Sequence, residues 1–277
     1  MDPQQWPVVS HRRLSEWHKL GTRKGRAQTG LLLIEGVRLV GEAMLSGQDV
    51  ECVMAADDDQ GLAGMRHLAF QVGQLPKSVL RVARRDFEKL ADTRHAAGVA
   101  ALLRWHPQSL TGVRVPPERD CRVLICDHIA DPGNLGTLIR AAAGLGIDRI
   151  IITAGSVELT NPKTVRATAG ALFHLPVHDG VDAPEAASWC RDSGLAILIA
   201  DAHRGKIPDS GRPVSRWALV LGGETIPHDP VWGTIPADRL HVPLRHGVES
   251  LNVAVAGALL IDRLTRHQAG HGGVRER

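Results

Sequence analysis

The stretch DHIADPGNLGTLIRAAAGLG, Asp127 to Gly146, decides how the rest of the chain reads. It follows the apolar run Val123, Leu124, Ile125, which has the character of a buried strand. It then turns through Asp131-Pro132-Gly133 and places Leu135, Leu138, Ile139 and Ala142 at helical spacing. Strand, loop and helix in that order predict one half of a βαβ unit, and open α/β sheets bind ligands beyond the carboxyl ends of their strands. Asn134 stands where the helix begins, and Arg140 falls inside it, off the apolar stripe and beside small residues. Two readings stay open. One is a helix cap with a solvated arginine; the other is a pair of ligand-facing groups at a strand end.

Downstream the same rhythm continues. The pattern predicts strands over Arg122–Cys126, Arg149–Thr153, Ala196–Ala200, Trp217–Leu221 and Leu240–Leu244. It predicts helices over Leu135–Leu145, Thr164–Phe173, Pro184–Asp192 and Leu251–His267. Strands alternating with helices imply an α/β domain with a mainly parallel sheet covered on both faces. Upstream, LLLIEGVRLVGEAMLSG reads as a strand running into an amphipathic helix that stops at Gly47. Strands over Val50–Ala55, Val79–Val82 and Gly98–Trp105 and a helix over Leu62–Gln71 complete a smaller α/β domain. Between the two, HPQSLTGVRVPPER has no period and is rich in Pro and polar residues, as a linker would be. The expected organisation is therefore a domain over 10–106, a linker over 107–119, a second domain over 120–268 and a disordered tail over 269–277.

Composition bounds the function. A chain of 277 residues with 43% hydrophobic and 23% charged residues has room for two globular cores. No apolar run approaches the roughly 18 residues of a membrane span, and the N-terminus lacks the apolar centre of a signal peptide, so a cytoplasmic protein is expected. Cys52, Cys121, Cys126 and Cys190 form no CxxC pair and no zinc spacing, and are expected to be reduced core thiols. The net charge is only +3, so attraction to a polyanion must come from local clustering. Arg12, Arg13, Lys19, Arg23, Lys24 and Arg26 stand against the single acid Glu16. A second group, Arg81, Arg84, Arg85, Lys89 and Arg94, is partly balanced by Asp86, Glu88 and Asp92. The first cluster is either a solvated face or an RNA-binding segment centred on Arg23, Lys24 and Arg26, with Gly25 freeing the backbone to follow phosphates. With no Tyr and three Phe, a base-stacking platform is disfavoured, and RNA shape and phosphates are the expected target.

The GxGxxG dinucleotide fingerprint, the P-loop, HExxH and GxSxG are all missing from the sequence. His174 with His178, and His241 with His246, lack a carboxylate or Cys in register, and no metal site is expected. Two further stretches carry chemistry. In LVLGGETIPHDP a buried strand ends at Gly222-Gly223-Glu224, where paired glycines either make a plain turn or let a ligand approach the backbone beside a carboxylate. In HVPLRHGVESLNVAVAGALL a strand ends at Pro243-Leu244 and a polar loop leads to Ser250, a natural N-cap for an apolar helix. Asn252 fits less simply, being a mediocre helix former with both a donor and an acceptor.

Together these stretches resemble the SPOUT-class RNA 2'-O-ribose methyltransferases of the SpoU/TrmH type. DPGNLGTLIRAAAGLGIDRIII is similar to that family's first motif, LVLGGE to its second and VPLRHGVESLNVAVAGALL to its third, in the family's order. NPKTVRATAGALFHLPV resembles the segment between the first two, and GTRKGRAQTGLLLIEGVRLVGEAM resembles the L30e-like RNA-binding domain that many members carry. The resemblance covers the chain from about Ser10 to His267 and implies a deep trefoil knot, rare among folds, and an obligate homodimer. It implies S-adenosylmethionine as cofactor, held by loops containing Gly222, Val242, Leu244 and Leu251. It implies Asn134, Arg140, Glu224, Ser250 and Asn252 as the functional polar residues, with 23S ribosomal RNA favoured over tRNA as substrate. A non-catalytic RNA-binding or ribosome-assembly role is the competing expectation.

The implied chemistry is in-line transfer of a methyl from a sulfonium to a ribose 2'-hydroxyl. The family gives Arg140 the task of assisting proton loss, although an arginine offers only donors and keeps its proton above roughly pH 12. Orientation of the hydroxyl and stabilisation of developing alkoxide is the more physical role. One departure stands out. The family continues its second motif with a Gly shortly after the Glu, whereas this chain has Thr225-Ile226-Pro227-His228-Asp229, and Pro227 removes an amide donor beside the expected cofactor loop.

Overall fold

A computed structural model describes residues 5–76, 78–91, 97–202, 204–207, 215–222 and 227–266. The chain divides into two compact units: Met1–His106 with Thr160–His174, and Pro107–Leu159 with Leu175–Arg277.

The first unit contains α1 (His11–His18), α2 (Arg23–Thr29), β1 (Leu31–Glu35), α3 (Val37–Leu45), β2 (Val50–Ala56), α4 (Asp59–Val72), β3 (Val79–Val82), α5 (Arg84–Ala91) and β4 (Val99–Arg104). Its sheet runs β1-β4-β2-β3, antiparallel except for the β2/β3 pair. Three helices, α1, α2 and α5, stand where the sequence shows only charge clusters. They are short and rich in charge: α1 and α5 each send one apolar stripe, Leu14 with Trp17 and Phe87 with Leu90, into the core with Cys52, Met54 and Leu102, while α2 buries only Gly25 and Arg26. Gly25 has a packing role in place of the expected one. A Cβ there would lie 2.0 Å from the Lys19 carbonyl oxygen, so glycine allows α2 to close against the preceding turn.

The second unit carries the parallel sheet. Its elements begin with β5 (Cys121–Asp127), α6 (Pro132–Gly144) and β6 (Arg149–Thr153). The segment grouped with the first unit follows, holding α7 (Pro162–Ala167) and a 3-10 turn over Ala171–Phe173. This replaces the single predicted helix Thr164–Phe173, because Ala169 and Gly170 both take positive φ, 50° and 96°, and break it. The chain continues through β7 (Val177–Val181), α8 (Ala183–Asp192), β8 (Ala196–Ala200), β9 (Arg216–Gly222), β10 (Asp238–Leu240) and α9 (Val253–Arg266). The strand order is β10-β8-β9-β5-β6-β7 and every pairing is parallel. β5 and β9 pair through Cys121–Asp127 and Arg216–Gly222 at the centre, and both are almost wholly apolar and buried, as a sheet covered on two faces requires.

Two readings of the sheet are corrected. The strand predicted over Leu240–Leu244 ends at Leu240, since Pro243 cannot donate to a ladder and the chain leaves the sheet there. β7 was not expected, because VHDGV interrupts its apolar content with Asp179 and Gly180, and its pairing with β6 is irregular. The proline-rich stretch after His106 is anchored on the second unit. Leu110 lies in its core, Trp189 Nε1 donates to the Val113 carbonyl at 2.9 Å, and Arg216 donates to the Pro116 and Arg119 carbonyls. The tail 269–277 lies outside the described residues.

Candidate active site

Parallel strands end on one edge of the second unit, and the residues just beyond those ends build the site. Gly222 closes β9, Asp201 follows β8, and the coil after β10 supplies Val242, Leu244, Ser250 and Leu251 before α9 begins. These groups line one cleft of about 720 Å³, within the span of small-molecule pockets, roughly 300–1,000 Å³. Leu221, Val253 and Leu260 add apolar wall, while the Asp201–Arg239 ion pair (3.0 Å) adds charge. Among the described residues the amide of Val242 and that of Leu244 make no hydrogen bond, which leaves backbone donors at the rim of an apolar cleft. The sequence expectation that Gly222, Val242, Leu244, Leu251 and Ser250 serve one site thus corresponds to residues that meet around one cleft.

The helix starts are arranged differently from the simplest sequence reading. Asp131, not Asn134, caps α6: its Oδ1 accepts from the Asn134 amide at 2.7 Å, with Pro132 in the first helical position. Asn252, not Ser250, caps α9, accepting from the amides of Ala254 (3.0 Å) and Val255 (3.4 Å). Asn252 also donates through Nδ2 to Asn134 Oδ1 at 2.8 Å, which ties the first turn of α6 to the start of α9 across 118 residues of sequence. Both asparagines are therefore held by their neighbours in fixed rotamers. Arg140 lies almost two turns further along α6, exposed, and among the described residues its side chain makes no hydrogen bond or ion pair. Glu224 lies outside the described residues, as do Gly223 and Arg94.

Beneath the cleft sits Asp127, the last residue of β5 and fully buried. Burial alone would raise its pKa. Hydrogen bonds from His228, the Asp229 amide and Thr153, with the nearby His128, outweigh this and hold the carboxyl below the ordinary carboxylate value. The four cysteines are all buried and free. Burial pushes the thiols up, to about 11 at Cys52 and about 12 at Cys126 and Cys190, so they are inert core groups as expected. The histidines proposed in pairs have separate partners: His174 pairs with Glu42 at 2.9 Å, His178 stands between Arg149 and the Gln108 carbonyl, and His241 meets the Gly205 carbonyl.

In the first unit Arg23 and Lys24 are exposed on α2, but Arg26 is not available to a phosphate. It is 7% exposed, and its guanidinium donates to the Leu20 carbonyl (2.8 Å) and Thr160 Oγ1 (3.3 Å), so it is a structural cation. Sequence cannot separate it from its neighbours, since all lie in one charge run. Asp131 was legible, as an Asp before Pro at a helix start. His228 was not, because its partner Asp127 stands 101 residues earlier.

Comparison with known proteins follows the same division of the chain. A model of the SpoU rRNA Methylase family matches residues 122–262, and a model of the MRM3-like substrate binding domain matches residues 12–101. The 23S rRNA (guanosine(2553)-2'-O)-methyltransferase RlmP of Bacillus subtilis is 30% identical over 92% of this chain and 97% of its own length. A crystal structure of an RNA 2'-O ribose methyltransferase superposes with a TM-score of 0.78 at 25% identity, covering 95% of this chain and 98% of the other. The SpoU methyltransferase AviRb from Streptomyces viridochromogenes, solved in complex with the cofactor AdoMet, has the same fold, with a TM-score of 0.80 at 23% identity over 94% and 98% of the two chains.

Proposed function

This chain belongs to the SpoU rRNA methylase family, and from that premise we propose that it methylates a ribose 2'-hydroxyl of 23S ribosomal RNA with S-adenosylmethionine. The observation that carries the reading is the single cleft into which Gly222, Val242, Leu244, Ser250 and Leu251 converge, beside the Asn134–Asn252 pair. The lining fits the cofactor. Leu221, Leu244 and Leu251 offer apolar surface to a purine ring, the Val242 and Leu244 amides offer donors to its edge, and Ser250 offers a hydroxyl. When bound there, S-adenosylmethionine supplies a methyl group activated on a sulfonium.

The chain's own residues then have to hold the ribose and relieve the charge that develops on its oxygen. Arg140 presents its guanidinium donors to the hydroxyl and the flanking phosphate and stabilises the forming alkoxide, while the hydroxyl proton leaves to the phosphate or to water and the thioether departs as the C–S bond breaks. Asn134 and Asn252, each fixed by the other, keep α6 and α9 in register so that Arg140 and the cleft face a common substrate. Glu224 and Ser250 complete the polar set. Arg23 and Lys24 contribute to RNA binding by the first unit.

The working form in this reading is a cytoplasmic homodimer with the trefoil knot of the family. The outer face of α9 supports dimerisation, since Val255 and Leu259 are 50% and 40% exposed four residues apart, and sedimentation equilibrium reads the mass directly. The function is tested by calorimetry with S-adenosylmethionine and by mapping 2'-O-methyl groups on 23S rRNA transcripts incubated with the protein. Saturable binding and one new methylated ribose are expected; no cofactor binding by the full chain would leave an RNA-binding role only.

A further inference from the structure

The segment that departs from the family pattern, Pro227-His228-Asp229, is attached to the strand ends that floor the cleft. His228 Nδ1 lies 3.2 Å from Asp127 Oδ2 at the end of β5, and Nε2 lies 3.4 Å from the Ala200 carbonyl oxygen at the end of β8. The ring also rests against Gly222 at the end of β9. A Cβ on Gly222 would stand 2.6 Å from His228 Cε1, 2.8 Å from Nε2 and 2.9 Å from Nδ1. Gly222 lies in regular strand, so its need to be glycine comes from this ring and not from its backbone conformation. One imidazole therefore touches the carboxyl ends of three parallel strands.

The ring is itself held in place. The Asp229 amide donates to Asp127 Oδ2 at 2.9 Å, Asp229 Oδ1 caps the following 3-10 turn Pro230–Gly233, and Trp232 in that turn is buried in the core. His228 is about a quarter exposed and lines the cleft beside Gly222 and Leu221. Asp127, by contrast, has no exposure and depends on its donors.

We propose that His228 is a positioning residue for cofactor binding: it bolts the ends of β5, β8 and β9 together under the cleft and so fixes the Gly222 backbone against which the cofactor lies. This rests on the reading of the cleft as the S-adenosylmethionine site.

The test measures S-adenosylmethionine affinity by calorimetry, and methyl transfer at varied cofactor concentration, on the full-length protein and its variants. His228→Ala is expected to weaken cofactor binding and raise the cofactor KM by about tenfold or more, with kcat at saturating cofactor changed far less. His228→Asn keeps a donor near Asp127 and is expected to recover most of the affinity. Gly222→Ala is expected to weaken binding in the natural chain but to cost several-fold less in the His228→Ala background, where the obstructing ring is gone. Unaltered cofactor affinity in His228→Ala, or an equal effect of Gly222→Ala in both backgrounds, overturns the proposal. If His228→Ala fails to fold, the comparison is made in His228→Asn: a several-fold smaller cost of Gly222→Ala there than in the natural chain supports the proposal, and an equal cost overturns it. Failure of the natural chain to bind cofactor would instead overturn the functional reading on which this rests.

Discussion

At the scale of single residues, Asn252 joins a structural duty to a positional one. Its Oδ1 caps α9 while its Nδ2 holds Asn134, and the two duties are separable by substitution. Asn252→Ser keeps a capping oxygen but is too short to reach Asn134. Thermal unfolding is expected to change by only a few tenths of a kcal/mol, while methyl transfer falls markedly. Asn252→Ala loses both duties and is expected to cost about 1 kcal/mol of stability as well. Equal activity of the Ser variant and the natural chain would reduce Asn252 to a cap. Arg140 has no such structural duty among the described residues, so Arg140→Ala is expected to leave stability and cofactor affinity intact and to lower kcat by roughly two to three orders of magnitude. Unchanged turnover would remove it from the mechanism. Both residues were legible in the sequence as polar groups at helix positions that packing did not explain. What was hidden is which neighbour each one meets, because the Asn134–Asn252 contact and the Asp127–His228 contact each join residues more than a hundred positions apart.

At the scale of elements, β5, α6, β6 and β9 were readable because strongly apolar runs and a clear helical period leave little choice. The elements that escaped were α1, α2 and α5, in which charged or glycine residues outnumber the few buried positions, and β7, whose apolar pattern is broken by His178, Asp179 and Gly180. The proline-rich stretch after His106 misled in another way: its irregular sequence is accompanied by side-chain anchors that only the fold supplies. One of them titrates. His178 Nδ1 contacts the Gln108 carbonyl at 3.1 Å and its Nε2 stands 2.7 Å from Arg149, which itself stacks over Trp189 at 5.6 Å. The ring satisfies both neighbours when Nδ1 donates and Nε2 accepts, the neutral form. Burial first, and then the Arg149 charge, lower the His178 pKa despite the opposing pull of the Gln108 and Ser109 backbone. The unfolded imidazole titrates near pH 6.5, so protons bind the unfolded chain first. The stabilising contribution is therefore complete above about pH 6.5 and is lost as pH falls through the lower folded value. Melting temperatures measured between about pH 7.5 and 5 are expected to decline in the natural chain and to be flatter in His178→Asn. Equal slopes in the two proteins would show that His178 is not the titrating group.

At the scale of the whole molecule, one polypeptide joins a small mixed-sheet unit to a parallel-sheet unit, and the small net charge of +3 hides how unevenly basic residues are distributed. Charge in a sequence run predicts a face only when the residues are known to point outward. Of the three cations singled out in the first unit, Arg23 and Lys24 do so, and Arg26 turns inward to Leu20 and Thr160. The two kinds of cation have opposite signatures. A cation that neutralises a phosphate releases counterions, so its removal lowers the salt dependence of binding, by about 0.7 in log–log slope for each contact to single-stranded RNA. Arg23→Ala with Lys24→Ala is therefore expected to weaken RNA binding at low salt and to flatten the slope by about 1 to 1.5, with a smaller fall in melting temperature than the loss of buried Arg26 brings. Arg26→Ala is expected to do the reverse. It strips a buried donor from the Leu20 carbonyl and costs stability, on the order of 1–3 kcal/mol, while RNA bound by the protein that remains folded keeps its full salt slope. Fluorescence anisotropy titrations of a 23S rRNA fragment across a range of salt concentrations, run beside thermal unfolding, separate the two outcomes. An unchanged slope in the double variant would return Arg23 and Lys24 to a solvated face, and RNA recognition would then have to reside elsewhere on the chain.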